Sequence, residues 1–130
     1  MSKAKTIGVW MATILPAAVL LMSGLNKLSD HAIWFPRFEH WGYAAWFSQV
    51  TGGIEVAGSL LMLFPLTSMV GAGLLACTML GAILTHLRAG EYGNVIAPLV
   101  LLAFTSSVVY LRRDRGQALW ARLNGKPRPM

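Results

Sequence analysis

The sequence predicts an all-α membrane protein, a bundle of four transmembrane helices with both termini on the cytoplasmic side (N-in, C-in). Three observations lead there. Of 130 residues, 55% are hydrophobic and only 12% are charged, about half the charge of an ordinary soluble domain. The apolar residues gather in four runs, each near the ~20 residues that a bilayer-crossing helix needs, which leaves no room for a second domain. Eight of the eleven Lys and Arg lie in the two terminal tails. Lys3 and Lys5 stand at the start, and Arg112, Arg113, Arg115, Arg122, Lys126 and Arg128 stand at the end. The net charge of +6 therefore belongs to membrane-flanking tails and points away from nucleic acid as a partner.

The first span covers residues 7–28 and meets no charge before Lys27. It tolerates Pro16, because neighbouring helices can satisfy the freed backbone groups. Lys3 and Lys5 before an apolar run resemble a signal peptide, but the run is too long for one and no A-x-A-like site follows, so an uncleaved span is expected. Residues 29–45 mix charges with Trp34, Phe35, Phe38, Trp41 and Tyr43. That composition suits an outer interfacial loop at the headgroup level. The second span, 46–64, is interrupted by Glu55 and closed by Pro65. The third covers 68–86 and is followed by a polar turn with Arg88, Gly90, Glu91 and Gly93. The fourth covers 94–111 and stops at Arg112 and Arg113. Residues 1–111 thus hold the bundle, and 112–130 form a basic cytoplasmic tail. In that tail Leu119, Trp120 and Leu123 share one helical face, as in a short helix lying on the membrane. Four spans leave Lys27, Arg37 and Arg88 on one side and every other Lys and Arg on the opposite side, which the positive-inside rule makes cytoplasmic.

Apolar spans say little about function, so the polar residues within them carry it. Glu55 lies nine residues past Trp46, about 13 Å below the outer interface at 1.5 Å per residue. A carboxylate at that depth must pair or take up a proton. Its helical neighbours Thr51, Gly52, Gly58 and Ser59 make a small, polar face that should turn inward. Lys27 follows Pro16 and Ser23 on one stripe, with Asn26 beside it. His86 follows Thr78 and Ala82, with Thr85 beside it. Asn94, Pro98 and Thr105 share a face of the fourth span. The expectation is one polar pocket open to the outer side, with Lys27, Glu55, His86, Asn26, Gln49 and Asn94 as candidates for ligand binding or proton relay. No residue is assigned a catalytic role. The structural alternative is an ion pair of Lys27 with Glu55 that only fixes helix register, with His86 as an interfacial partner, and Lys27 alone could snorkel.

His31, His40 and His86 invite a metal, but no ligand pair at helical spacing supports one, so none is expected. The single Cys77 excludes an intrachain disulfide. It falls in the series Gly73, Cys77, Gly81, a small-xxx-small ridge expected to pack against another helix. No phosphate loop, nucleophile elbow or dinucleotide fingerprint is present. No haem-ligand pair or cysteine pair is there to carry electrons.

Three stretches together resemble the DoxX-like family. They are Gly24-Leu25-Asn26-Lys27-Leu28, Gly52-Gly53-Ile54-Glu55 with the following aliphatic run and Pro65, and Met79-Leu80-Gly81-Ala82 through Thr85-His86. The resemblance covers roughly residues 10–111. It implies a small four-helix protein of bacterial inner membranes, associated with membrane oxidoreductases or with the assembly of other membrane proteins, and its polar positions fall on Lys27, Glu55 and His86. The leading expectation is an accessory subunit, rather than an enzyme by itself, of a redox or electron-transfer assembly. Its pocket would admit a quinone, with Lys27 and His86 donating to the carbonyls and Glu55 shuttling a proton. No resident cofactor is evident. The expected partners are the lipid bilayer, other oxidoreductase subunits and further copies of the chain. The alternatives are a non-enzymatic scaffold, or a lipid- or sterol-like ligand binder or isomerase using Glu55 and His86.

Overall fold

The computed structural model describes residues 2–125, and its regular elements are all helical. They are α1 (Lys3–Ser29), α2 (His31–His40), α3 (Phe47–Leu63), α4 (Ser68–Arg88), a 3-10 turn (Tyr92–Val95), α5 (Ile96–Leu111) and α6 (Arg113–Leu123). Residues 126–130 of the basic tail lie outside the described residues.

Local chemistry sets the boundaries. Ser2 caps α1 by accepting from the Lys5 N–H at 3.2 Å. Asp30 serves two helices: its N–H donates to the Asn26 carbonyl at 2.8 Å, and its carboxylate accepts from the Ile33 N–H at 3.4 Å. The expected interfacial loop is therefore largely a ten-residue helix, α2. Its sequence hides this, since Pro36 sits inside the helix and its apolar residues are mostly aromatic. Phe64, held extended before Pro65, ends α3 as the residue before a proline should. The α4 helix runs two residues past its expected end. Gly90 then turns the chain with φ of +75°, a conformation open to glycine at little cost.

Four helices close a ring in the order α1, α3, α4, α5, with α5 returning to α1. Two contacts depend on missing side chains. A Cβ on Gly24 would stand 2.7 Å from the Gly52 carbonyl oxygen, and one on Gly52 would stand 2.9 Å from that of Gly24. Likewise, a Cβ on Gly71 would collide with the Gly58 carbonyl oxygen and the Met62 N–H. The ridge expected at Gly73, Cys77 and Gly81 does not pack in the bundle. Cys77 is exposed, and a Cβ on Gly73 or Gly81 would meet nothing within 4 Å. Four-residue spacing of small residues marks a smooth stripe, but it does not say which stripe faces a neighbour.

Ala17, Leu20, Met62, Ala72, Leu75, Met79 and Val108 form the core. Outward-facing side chains are also large and apolar, among them Met22, Leu25, Leu60, Leu84, Ile96 and Leu99. A surface this apolar requires lipid rather than water around it. Several hydroxyls in the helices bond back within their own turn, as Thr13 does to Val9 at 2.7 Å and Ser59 to Glu55 at 2.6 Å, which satisfies those donors without water. Three helical stretches are long and apolar enough to cross a membrane: residues 3–29, 68–88 and 92–111. The α3 helix has 17 residues and carries Glu55 at its midpoint. Near the chain termini, Arg112 is buried. Its guanidinium lies 4.5 Å from the Trp10 ring centroid and donates two long bonds, 3.3 and 3.4 Å, to Thr13 Oγ1, tying the end of α5 to α1.

Candidate functional site

At the other end the ring opens into a cavity of ≈ 950 Å³, the volume of a typical small-molecule site. All four ring helices line it, and α2 with the turn after it supplies an aromatic cap. Glu55 and Lys27 stand in its wall, 2% and 8% exposed. The Lys27 ammonium donates to both carboxylate oxygens, at 2.9 and 3.2 Å, and to Ser23 Oγ at 2.9 Å. Its three protons are thereby engaged. The close approach of Gly24 to Gly52 makes this pairing possible, because it brings the backbones of α1 and α3 together beside it. Gln49 Nε2 donates to the Lys27 carbonyl at 3.0 Å, joining the same two helices a turn away.

The cap is attached to this pair. The Trp34 ring centroid is 4.6 Å from Lys27 Nζ and 5.1 Å from the Arg37 guanidinium, so its face meets two cations. Its indole N–H donates to Asn26 Oδ1 at 2.6 Å. Phe38 is buried and packs against Trp34, Trp41, Tyr43 and Phe47.

A second polar cluster lies across the cavity. His86 Nδ1 is 2.8 Å from Glu91 Oε1, and the Trp41 indole donates to the same oxygen at 3.0 Å. The His86 contact holds the Glu91 carboxyl below the usual carboxylate range; partial burial opposes this, and the Trp41 N–H and the charges of His86 and His40 add to it. An ionised Glu91 can only accept, so the His86 proton sits on Nδ1 and, in the neutral ring, Nε2 is an acceptor. Arg88 donates to the Trp41 carbonyl at 2.6 Å. Thr85 spends its proton on the Gly81 carbonyl at 2.8 Å, so the Tyr43 hydroxyl, 2.8 Å away, donates to it. These bonds fasten the end of the cap to the end of α4.

Of the residues expected to share a pocket, Lys27, Glu55, His86 and Asn94 line one cavity. They do so in separate clusters: the partner of His86 is Glu91, not Glu55. Asn26 and Gln49 brace the wall from behind instead of facing the interior. Gly81 lines the cavity, whereas Gly73 and Cys77 do not. Sequence reasoning passed over Glu91, Trp41 and Tyr43, which it left in connections. Glu91 lies five residues past His86, and only the left-handed turn at Gly90 folds it back. The single signal was an acidic residue just after a helix-ending glycine.

The family model of the DoxX-like family matches residues 11–108. "Uncharacterized protein YdgD" of Bacillus subtilis (strain 168) is 28% identical over 99 residues, covering 73% of this chain and 87% of that one. "Putative oxidoreductase CatD" of the same organism is 29% identical over 120 residues, covering 92% of this chain and 89% of that one. No solved structure matches significantly. The three stretches that carried the resemblance fall inside the matched region, and the chain belongs to the DoxX-like family.

Proposed function

We propose that this chain crosses a bacterial inner membrane four times, N-in and C-in, as an accessory subunit of a membrane oxidoreductase, and that its outward-facing cavity admits a lipophilic carrier of the quinone type. The carrying observation is the buried Lys27–Glu55 pair in the wall of a cavity capped by aromatic side chains. An isolated pair is an expensive way to join two helices, and a cavity of this size beside it gives the polarity a use. The name of the Bacillus subtilis relative CatD supports an oxidoreductase setting. As the remaining span, α3 would cover about 25 Å at 1.5 Å per residue. Trp46 and Phe64 at its ends suit a locally thinned bilayer.

A purely structural role is the second reading, and the close approach of Gly24 to Gly52 favours it, since the pair then acts as a lock between α1 and α3. Native mass spectrometry of the complex, taken from its membrane in mild detergent, separates the two. The carrier reading expects a bound mass in the quinone range, a stoichiometric partner, and loss of the ligand in Glu55→Gln. A complex with neither ligand nor partner would refute it. Retention of both by the Lys27→Met/Glu55→Leu double variant would reduce the pair to a lock.

A further inference from the structure

We infer that the cavity selects the reduced, hydroxyl-bearing form of its carrier, a hydroquinone, over the oxidised quinone. The inference rests on the carrier reading above and adds the redox state of the ligand. A quinone offers two carbonyl oxygens and needs donors from its site. A hydroquinone offers two O–H groups and needs acceptors.

The donors in the cavity wall are spent within the protein. Lys27 gives its three protons to Glu55 and Ser23. The indoles of Trp34 and Trp41 give theirs to Asn26 and Glu91. The Tyr43 hydroxyl donates to Thr85, and the hydroxyls of Thr85, Thr51 and Thr78 donate to carbonyls of their own helices. The side-chain donors that remain among the described residues, on Arg37, His40 and Asn94, belong to exposed residues.

Acceptors remain inside. An ionised carboxylate takes about four hydrogen bonds, and Lys27 supplies Glu55 with two. His86 Nε2 has no hydrogen-bond partner among the described residues; with Nδ1 donating to Glu91, Nε2 accepts when the ring is neutral and donates when it is protonated. Glu55 and His86 stand on different helices, α3 and α4, in the wall of the same cavity. A ligand O–H meeting either one makes a bond that a carbonyl cannot make, and a carbonyl set against a carboxylate is repelled. With Lys27 fully engaged and the neutral His86 ring accepting, the donation expected of these two residues falls to the ligand.

The test is binding to the full chain in lipid nanodiscs under anaerobic conditions at pH 8, where an imidazole is ordinarily neutral. Titration calorimetry would compare a short-chain benzohydroquinone, the matching benzoquinone and the hydroquinone dimethyl ether. The hydroquinone should bind at least about tenfold tighter than either of the others, the worth of one good hydrogen bond to a charged or otherwise unsatisfied group. Glu55→Gln, which replaces an acceptor with an amide that also donates, should narrow that ratio. His86→Phe should narrow it independently if the first variant does not fold. A quinone that binds as tightly as the hydroquinone would overturn the redox preference and leave the carrier reading standing. A dimethyl ether that binds as well as the hydroquinone would overturn the role of the ligand protons. Binding of none of the three would refute the carrier reading together with the inference.

Discussion

Toward the chain termini, Leu20, Met62, Leu75 and Val108 fill the ring with side chains at most 2% exposed; toward the other end, the same four helices stand apart around ≈ 950 Å³. The first region is joined mainly by apolar contact and by the approach of Gly58 to Gly71, which lets α3 and α4 touch. The second is joined by charge pairs, an aromatic cap and hydrogen bonds from connecting segments. Because surrounding lipid gives apolar side chains no reason to prefer the interior, the filled end relies on shape. The hollow end relies on directional bonds, which hold helices in position without filling the space between them.

The largest expected effect breaks a directional bond. Glu55→Leu leaves the Lys27 ammonium buried without its carboxylate and should cost about 3–5 kcal/mol, with much of the loss recovered in the Lys27→Met/Glu55→Leu double variant. Thermal unfolding in detergent measures both. A single variant as stable as the native chain would erase the contrast between the two ends.

Next is Leu75→Ala at the filled end, where a fully buried leucine should cost about 2–5 kcal/mol by the same measurement. Ligand affinity should not change, because Leu75 does not line the cavity. A change in affinity with unaltered stability would show that the two ends are not separate.

Gly71→Ala should cost about 1–3 kcal/mol, since its methyl meets the backbone of α3. Gly73→Ala, two residues on, should be neutral or stabilising by up to about 1 kcal/mol through helix propensity alone. Equal effects at the two positions would show that α4 presents a different face to α3.

The smallest effect is in pH. Glu91 binds its proton more weakly in the folded chain than an ordinary carboxyl group of pKa 4.5. Its stabilisation of the cap is therefore complete above 4.5 and is lost as pH falls from there through the lower folded value. Emission from Trp41 should change over that acid window in the native chain and stay flat in Glu91→Gln. An identical titration in both would place the acid sensitivity elsewhere.

The sequence made the ring helices legible because hydropathy runs and charge gaps are one-dimensional signals. Glu55 and Lys27 were legible for the same reason, as charges where few are tolerated. The face that α4 turns inward was not legible: Gly71 and Gly73 are the same residue type, and only a neighbour distinguishes them. The cap was not legible either. The mixture of charges and aromatics reads as an interfacial loop although it forms α2, and the grip of Glu91 on Trp41 joins residues 50 positions apart. Nor could counting donors by residue type show that Lys27 is fully engaged, because that depends on Ser23 and Glu55 meeting the same nitrogen.

The position of Glu55 at the midpoint of α3 also constrains biogenesis. On the four-span reading proposed above, α3 inserts with a carboxylate at its centre, which costs roughly 2.5–3.5 kcal/mol on insertion scales, and α3 is too short to offset it with extra aliphatic length. Its neutralising cation is on α1, which leaves the ribosome first. On that reading an already seated α1 can receive α3, and the order of the segments in the gene matches the order in which their charges become tolerable to lipid.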